Sequence, residues 1–228
     1  MQFAFPLQQS VVPIDGRAEF FPVHRIYCVG QNYAEHAKEM GQTERQAPFF
    51  FMKPADAVLP VAHGSIGDMP YPSRTENLHH EVELVVALSS GGKNISAVDA
   101  EKHIFGYAVG LDMTRRDLQA AAKKTGRPWD TAKGFDDSAP ISPIYPATNL
   151  MTQGSMQLTV NGQARQQGDI EQMIWNIAET IEHLSSYYEL RAGDLIFTGT
   201  PAGVGAVVKG DLLEANIDGV GALRVRLV

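Results

Sequence analysis

The feature that most restricts the fold of this chain is an alternating run from His79 to Leu88 that begins polar and ends wholly apolar. Residues two apart in a β-strand point to the same face, so the alternation predicts that His79, Glu81 and Glu83 project together. Two buried neighbouring carboxylates repel each other unless a proton or a cation lies between them. The run therefore predicts a buried strand whose acidic end binds a hard cation.

A third oxygen ligand is available at Asp112, which follows the predicted strand Phe105 to Leu111. The alternative interpretation is that Glu81 and Glu83 line a solvated edge of a sheet, where charged side chains are common. The apolar residues around the acidic pair favour a metal site. We therefore expect Glu81, Glu83 and Asp112 to be its ligands.

The adjacent residues His79 and His80 suggest a rival site, in which two histidines and one carboxylate bind iron. Adjacent residues of a strand face opposite sides, so both histidines reach one centre only through a bulge. We therefore expect each histidine either to support a carboxylate or to pack in the interior.

Short β-like runs outnumber helices along the chain, which contains neither repeats nor low-complexity tracts. The predicted strands are Arg25 to Val29, Phe49 to Met52, Glu81 to Leu88, Phe105 to Leu111, Met156 to Val160, Leu195 to Thr198, Asp211 to Ile217 and Ala222 to Val228. The predicted helices are Tyr33 to Met40, Arg115 to Thr125 and Ile170 to Tyr188. The second helix has a potential N-cap at Thr114, a capping-box partner at Asp117 and a stop at Gly126. The pattern predicts a β-rich α+β fold, with an N-terminal arm at residues 1–21 and one domain at residues 22–228.

Composition and charge narrow the class of function. The 228 residues carry a formal net charge of -7 without a stripe of Lys and Arg, which disfavours a nucleic-acid partner. Neither a secretion signal nor a membrane-spanning segment is recognisable, so we expect a cytoplasmic protein. Cys28 is the only cysteine, and its apolar neighbours favour inert packing. The expected ligand is a small molecule.

A candidate base lies near the N-terminus of the chain. His36 and Glu39 are three residues apart on a predicted helix, so the carboxylate can orient the imidazole to remove a proton from water. The same spacing is common in surface ion pairs, and its meaning depends on the neighbours of the pair.

Candidate contacts for an anionic substrate lie further along the chain. Arg115, Arg116 and Gln119 share one predicted helix, although Arg115 equally suits a solvated helix face. Arginine can bind a carboxylate through two hydrogen bonds, and Lys133 offers a compact charge to a developing enolate or oxyanion. Thr200 lies in a Gly-rich turn that lacks the features of a nucleotide-binding loop, and it is a candidate contact for a substrate carboxylate.

Five motifs, taken together and in this order, resemble those of the fumarylacetoacetate hydrolase family. They are VGQNY at Val29–Tyr33, HHEVE at His79–Glu83, GLDMT at Gly110–Thr114, AKGFD at Ala132–Asp136 and TGTPAGVG at Thr198–Gly205. The resemblance runs from about residue 24 to the C-terminus. It is closest to the short, single-domain members that act as acylpyruvate or fumarylpyruvate hydrolases, because the separate N-terminal domain of the larger members is absent.

This resemblance implies a mixed β-sandwich roll with a few helices, assembled as a homodimer. It implies that Mg²⁺ or Mn²⁺, with Ca²⁺ as a further candidate, binds to the three carboxylates named above. It also implies that His36 and Glu39 form a water-activating dyad, while Gln119 and Lys133 stabilise charge.

The expected reaction is hydrolysis of a carbon–carbon bond in a small 2,4-dioxo acid, with fumarylpyruvate giving fumarate and pyruvate. The same metal site can stabilise an enolate formed in another way. The alternatives are therefore an oxaloacetate decarboxylase or tautomerase, and a 2-oxo-dienoate isomerase or decarboxylase. The presence of both His36 and Glu39 favours hydrolysis, since decarboxylation needs no activated water. An alternative of another class is a non-catalytic binding module with a vestigial metal site.

Overall fold

The structure is a computed structural model that describes residues 3–33 and 46–228. Within these residues the chain forms eighteen strands, three α-helices and three short 3₁₀ turns. Each of the eight predicted strands is present, and its ends lie within one residue of the predicted ends. The expectation of a β-rich α+β fold is confirmed.

The largest sheet has eight strands in the order β4-β3-β15-β8-β9-β11-β5, with β12 paired to β9. Its strands are β3 (Ile26–Gly30), β4 (Phe49–Lys53), β5 (Val58–Pro60), β8 (Val82–Leu88), β9 (Ile104–Leu111), β11 (Ala139–Ile141), β12 (Tyr145–Pro146) and β15 (Leu195–Phe197). Strand β8 is paired on both sides and buried along its whole length. This position explains why its sequence is continuously apolar beyond the acidic end.

A second sheet of five strands has the order β14-β13-β17-β18-β6. Its strands are β6 (Gly67–Met69), β13 (Ser155–Val160), β14 (Gln163–Asp169), β17 (Leu212–Ile217) and β18 (Gly221–Leu227). Strands β13, β17 and β18 contact β8 or β9 of the larger sheet, so the two sheets pack face to face.

Two smaller sheets complete the strands. The three-stranded sheet contains β7 (Leu78–His80), β10 (Thr114–Arg115) and β16 (Gly205–Val207), while β1 (Val11–Pro13) and β2 (Phe20–Pro22) form a hairpin. The hairpin lies in the segment expected to form an N-terminal arm. Its residues Val12 and Phe21, together with Ile14, are buried against the larger sheet.

The larger sheet is covered on both faces by apolar side chains. One face packs against the five-stranded sheet through residues such as Leu84, Val109 and Leu158. The other face carries Cys28 and Val85 and is covered by the N-terminal hairpin. The Cys28 side chain is fully buried and burial raises its thiol pKa well above the usual value, which confirms the expected inert packing.

The helices are α1 (Arg116–Thr125), α2 (Asp130–Lys133) and α3 (Ile177–Tyr187). Helix α1 ends at Gly126, as predicted, because Gly126 adopts the left-handed conformation and its N–H caps the helix. The helix begins one residue after the predicted start, but the predicted cap is wrong. Thr114 belongs to β10 and its hydroxyl donates to the Asp112 carbonyl, while Asp117 accepts a hydrogen bond from Thr75 rather than closing a capping box.

The predicted helix from Ile170 to Tyr188 is also wrong in its first third. A 3₁₀ turn over Ile170–Gln172 precedes a break, and α3 begins only after its N-cap, Asn176. The backbone N–H and carbonyl of Trp175 bond to the side chain of Asn32, so they cannot join the helical hydrogen bonds. Asn176 and Glu179 then form a capping box.

The remaining 3₁₀ turns cover Ala55–Ala57 and Ala97–His103. Among the described residues, no helix is long and apolar enough to cross a membrane. The predicted helix from Tyr33 to Met40 falls almost wholly outside the described residues.

Candidate functional site

Three acidic side chains converge at one end of the larger sheet. One oxygen each of Glu81, Glu83 and Asp112 lies within 4.8 Å of the others. All three side chains are buried, with exposed fractions of 5%, 2% and 0%. The solvated-edge interpretation of Glu81 and Glu83 is therefore wrong.

The strand register brings these three residues together. Strands β8 and β9 pair antiparallel with Glu83 opposite Gly110, and the Asp112 N–H donates to the Glu81 carbonyl at 2.8 Å just beyond the paired residues. A side chain at Gly110 would collide with Val85 and Phe197, so only glycine fits opposite Glu83. Asp112 thereby faces Glu81 across the strand ends.

Three cations surround the carboxylates. The Lys133 ammonium lies 2.8 Å from Glu81 Oε2 and 2.7 Å from Asp112 Oδ2, so it bridges two of the three acids. The Arg116 guanidinium donates to Glu81 Oε1. The Lys53 ammonium lies 2.9 Å from Asp112 Oδ1, while it donates to the carbonyls of Met113 and Lys133.

The electrostatics of the cluster favour a further cation. Burial, followed by the charges of Asp112 and Glu81, raises the pKa of Glu83 well above its usual value. Burial alone would lower the pKa of Lys133, but the neighbouring carboxylates of Asp112 and Glu81 outweigh it and raise that pKa. Lys133 therefore stays charged beside the acids, and a bound cation would favour the ionised form of Glu83.

The donor set fits a hard divalent ion. It consists of carboxylate oxygens, which Mg²⁺ and Mn²⁺ prefer. Asp112 Oδ1 is buried and lies 2.9 Å from the Lys53 ammonium, but it accepts no hydrogen bond of normal geometry from the described residues, so it keeps a lone pair for coordination. The predicted ligands Glu81, Glu83 and Asp112 thus form a site that can hold such an ion.

The Gly-rich turn after β15 contacts the carboxylate cluster from one side. The Gly199 N–H donates to Glu83 Oε2 at 2.8 Å, and its φ of +99° is a conformation that glycine adopts readily. The Thr200 hydroxyl donates its only proton to the Val82 carbonyl at 2.7 Å and accepts a hydrogen bond from Gln166. Its proton is therefore already used within the protein, although Thr200 does line the pocket.

Helix α1 forms another wall of the pocket. Arg116, Gln119 and Lys123 line it at helical spacings of three and four. Arg116 donates to Gln119 Oε1 at 2.6 Å, so the Gln119 amide N–H groups, which have no acceptor among the residues described, can donate to a ligand. The neighbouring Arg115 faces elsewhere, because its guanidinium lies 4.3 Å from the ring centre of Phe135 in a separate surface cavity.

The two adjacent histidines stay outside the cluster of carboxylates. His79 bonds to Asn77, and burial together with the charge of Arg116 lowers its pKa to about 4. His80 is buried, bonds to Gln166 and has a pKa lowered by burial. Both imidazoles are therefore neutral near pH 7. The iron-site alternative finds no support in this arrangement.

Several site residues escaped the sequence interpretation. Lys53 is buried beside Asp112, and Gln166 bonds to His80, Thr200 and the Val82 N–H. Both lie far along the chain from their partners, and no local pattern connects them. Three aromatic side chains also line the pocket, namely Phe49, Phe51 and Trp129. The predicted dyad, His36 and Glu39, lies outside the described residues.

Comparison with known proteins identifies relatives over nearly the whole chain. A family model described as fumarylacetoacetate (FAA) hydrolase C-terminal matches residues 25–228. A fumarylpyruvate hydrolase from Ralstonia sp. is 45% identical over 173 residues, which are 75% of this chain and 88% of the relative. A mitochondrial oxaloacetate tautomerase from Rattus norvegicus is also 45% identical, over 204 residues that cover 89% of this chain and 90% of the relative. An oxaloacetate tautomerase from Escherichia coli is 40% identical over 202 residues, or 87% and 90% of the two chains.

A solved structure extends the likeness to the fold and to the metal. The crystal structure of fumarylpyruvate hydrolase from Pseudomonas aeruginosa superposes with a TM-score of 0.98 at 53% identity, covering 100% of this chain and 99% of that one. That crystal contains Mn²⁺ and pyruvate. The expected mixed β-sandwich roll is confirmed, and the three carboxylates agree with a divalent-metal site. The chain belongs to the fumarylacetoacetate hydrolase family.

Proposed function

We propose that this protein is a divalent-metal-dependent hydrolase that cleaves the carbon–carbon bond of a small 2,4-dioxo acid, with fumarylpyruvate as the preferred substrate. The observation that carries the proposal is the buried carboxylate cluster of Glu81, Glu83 and Asp112 in a pocket whose other charged residues are cations. The relative that is most similar in structure among those described above is a fumarylpyruvate hydrolase with bound Mn²⁺ and pyruvate.

The three carboxylates would hold Mg²⁺ or Mn²⁺, with Ca²⁺ as a weaker candidate for the same oxygens. When bound, the ion supplies positive charge that binds the 2-oxo-acid end of the substrate and stabilises an enolate. Arg116 and Gln119, which line the same wall, would bind the substrate carboxylate and its oxo group. Thr200 would contribute through its backbone N–H, since its hydroxyl proton is used within the protein.

Catalysis begins with water in this proposal. His36, oriented by Glu39, takes a proton from water, whose oxygen attacks the carbonyl at C4 of the substrate. The tetrahedral intermediate collapses, the bond between C3 and C4 breaks, and its electron pair passes to the pyruvate enolate. Lys133 stabilises the developing negative charge, and the enolate then gains a proton to give pyruvate. Arg115, which faces away from the carboxylates, would contact substrate only indirectly.

A second candidate is keto–enol tautomerisation or decarboxylation of oxaloacetate. The observation in its favour is that relatives named oxaloacetate tautomerase are 40% and 45% identical to this chain. Hydrolysis of the dioxo acid and the two reactions of oxaloacetate all pass through an enolate that the same residues can stabilise. Only hydrolysis needs an activated water, so the His36–Glu39 dyad distinguishes it from the other two.

A substrate panel tests the proposal. Purified protein with Mn²⁺ is supplied with fumarylpyruvate, acetylpyruvate or oxaloacetate. Pyruvate release is followed with lactate dehydrogenase, and keto–enol conversion of oxaloacetate, which releases no pyruvate, is followed by the ultraviolet absorbance of the enol. We expect fumarylpyruvate to be cleaved fastest and the His36→Ala variant to lose at least about 100-fold in kcat. Undiminished hydrolysis by His36→Ala would exclude the base role. Turnover of oxaloacetate alone would favour the second candidate, and binding without any turnover would favour a non-catalytic module.

From the same family resemblance we propose that the active form is a homodimer in the cytoplasm. The supporting observation is the exposed apolar surface of the edge strand β4, which presents Phe49 and Met52 to solvent. Light scattering on the purified protein should give twice the mass of one 24.9 kDa chain. A single-chain mass at micromolar concentration would contradict the dimer.

A further inference from the structure

The pocket carries positive charge at its mouth as well as around the buried carboxylates. It runs from the buried residues Glu83, Asp112 and Lys133 to a mouth where Phe49 and Lys123 are exposed. Lys123 follows Arg116 by two turns of α1, which places it roughly 10 Å further along the helix axis. The pocket therefore has a cation at its outer end as well as around the carboxylates.

Lys123 has no carboxylate partner among the residues that the structure describes. Its ammonium lies 5.0 Å from the ring centre of Trp129, and no described acid pairs with it. The other cations that line this pocket behave differently, since Arg116 and Lys133 both bond to Glu81. Lys123 is therefore a lining cation whose charge no described carboxylate neutralises, and it is available to an external anion.

An aromatic wall connects the two ends of the pocket. The rings of Phe49 and Trp129 meet edge to face with their centres 5.5 Å apart, and the Phe51 ring centre is 5.8 Å from that of Trp129. All three residues line the pocket. Flat faces of this kind pack well against a planar, conjugated chain.

The cations of the pocket fall into two groups among the described residues. The three carboxylates are surrounded by Arg116, Lys133 and Lys53, whose ammonium lies 2.9 Å from Asp112 Oδ1. Lys123 is a further cation with no described carboxylate beside it. An anion bound beside Lys123 would therefore meet a positive charge that no described acid neutralises.

We propose that Lys123 binds a carboxylate at the far end of the acyl chain, and that Trp129 and Phe49 pack against the chain itself. The inference rests on the proposed function and narrows its substrate class to long, planar acylpyruvates that end in a carboxylate. An extended chain advances roughly 1.2 Å per bond, so six bonds separate the two carboxyl carbons of a seven-carbon diacid by about 7 Å. In oxaloacetate only three bonds separate the two carboxyl carbons, which are therefore about 4 Å apart. The second carboxylate of oxaloacetate would then lie far from Lys123.

A matched pair of non-cleavable ligands tests the binding step alone. Calorimetric titration of the Mn²⁺-loaded protein compares 2-oxoheptanedioate with 2-oxoheptanoate, which differ only in the distal carboxylate. We expect the wild-type protein to bind the dioate about 10-fold more tightly. Lys123→Gln should abolish this preference for the dioate, whereas Lys123→Arg should keep most of it. The control is Lys124→Gln, which changes an exposed neighbour on the same helix and should leave the preference unchanged.

Hydrolysis supplies the second measurement. The ratio of kcat/KM for fumarylpyruvate to kcat/KM for acetylpyruvate should fall about 10-fold in Lys123→Gln and stay within twofold in Lys124→Gln. An equal ratio in wild type and Lys123→Gln, or equal binding of the two non-cleavable ligands by wild type, would overturn the role of Lys123. If the wild type hydrolyses neither substrate, the proposed function fails, while the ligand pair still decides whether Lys123 binds a distal carboxylate.

Discussion

Replacing Lys53 by methionine should destabilise the metal-free protein by about 3–5 kcal/mol, the usual cost of removing one partner from a buried ion pair. The Lys53 and Asp112 side chains have exposed fractions of 0% and 1%, and their charged atoms are 2.9 Å apart. Methionine fills a similar volume, but it leaves the carbonyls of Met113 and Lys133 without this donor. The predicted loss is a large part of the roughly 5–15 kcal/mol by which domains are stable.

Urea denaturation of chelator-treated protein measures this loss, and Lys102→Met is the matched control. Lys102 pairs with Asp99 at 2.5 Å, but the side chains are 74% and 47% exposed. The control should therefore lose little stability, because solvent screens an exposed ion pair. Adding Mn²⁺ should restore part of the stability of Lys53→Met, because the ion returns positive charge to the carboxylates. If Lys53→Met lost no more than Lys102→Met, the buried network would not be coupled as described.

Three further substitutions probe the site and the fold. Glu83→Gln should weaken Mn²⁺ binding by at least about 100-fold in calorimetry, because a charged ligand is lost. The amide oxygen of the variant can still accept the hydrogen bond from the Gly199 N–H, so the local fold is kept. An Mn²⁺ affinity within threefold of wild type would contradict the role of Glu83 as a ligand. Gln166→Leu should lower the free energy of unfolding in urea by about 2–4 kcal/mol, since it leaves His80 and other buried polar groups without hydrogen-bond partners. A decrease of less than about 0.5 kcal/mol would refute this. Asn176→Ala should cost about 1 kcal/mol by removing an N-cap, and an unchanged denaturation midpoint would show that the cap is dispensable.

The carboxylate cluster was predictable from sequence because its geometry follows from local rules. Alternation in the run from His79 predicted that Glu81 and Glu83 face the same way, and Asp112 was added because it follows the predicted strand Phe105 to Leu111. The structure brings the three together because β8 and β9 pair antiparallel. Charge repulsion in an apolar setting then indicated a cation. Each step needed only residues close to one another along two neighbouring strands.

The residues that the sequence did not reveal depend on distant contacts. Lys53 reaches Asp112 across 59 positions of the chain, and Gln166 reaches His80 across 86. The break before α3 arises because Asn32 holds Trp175, a contact that no periodicity signals. Its cap, however, had a readable signal, since Asn176-Ile-Ala-Glu179 is a capping-box sequence.

The most direct test of a metal-dependent hydrolase is the rate of pyruvate release from fumarylpyruvate by protein stripped of metal. The stripped protein, shown by elemental analysis to be metal-free, should release no pyruvate above the uncatalysed rate. Stoichiometric Mn²⁺ should restore full activity to the wild type but not to Glu83→Gln. Hydrolysis at the full rate by verified metal-free protein would contradict the role assigned to Glu81, Glu83 and Asp112.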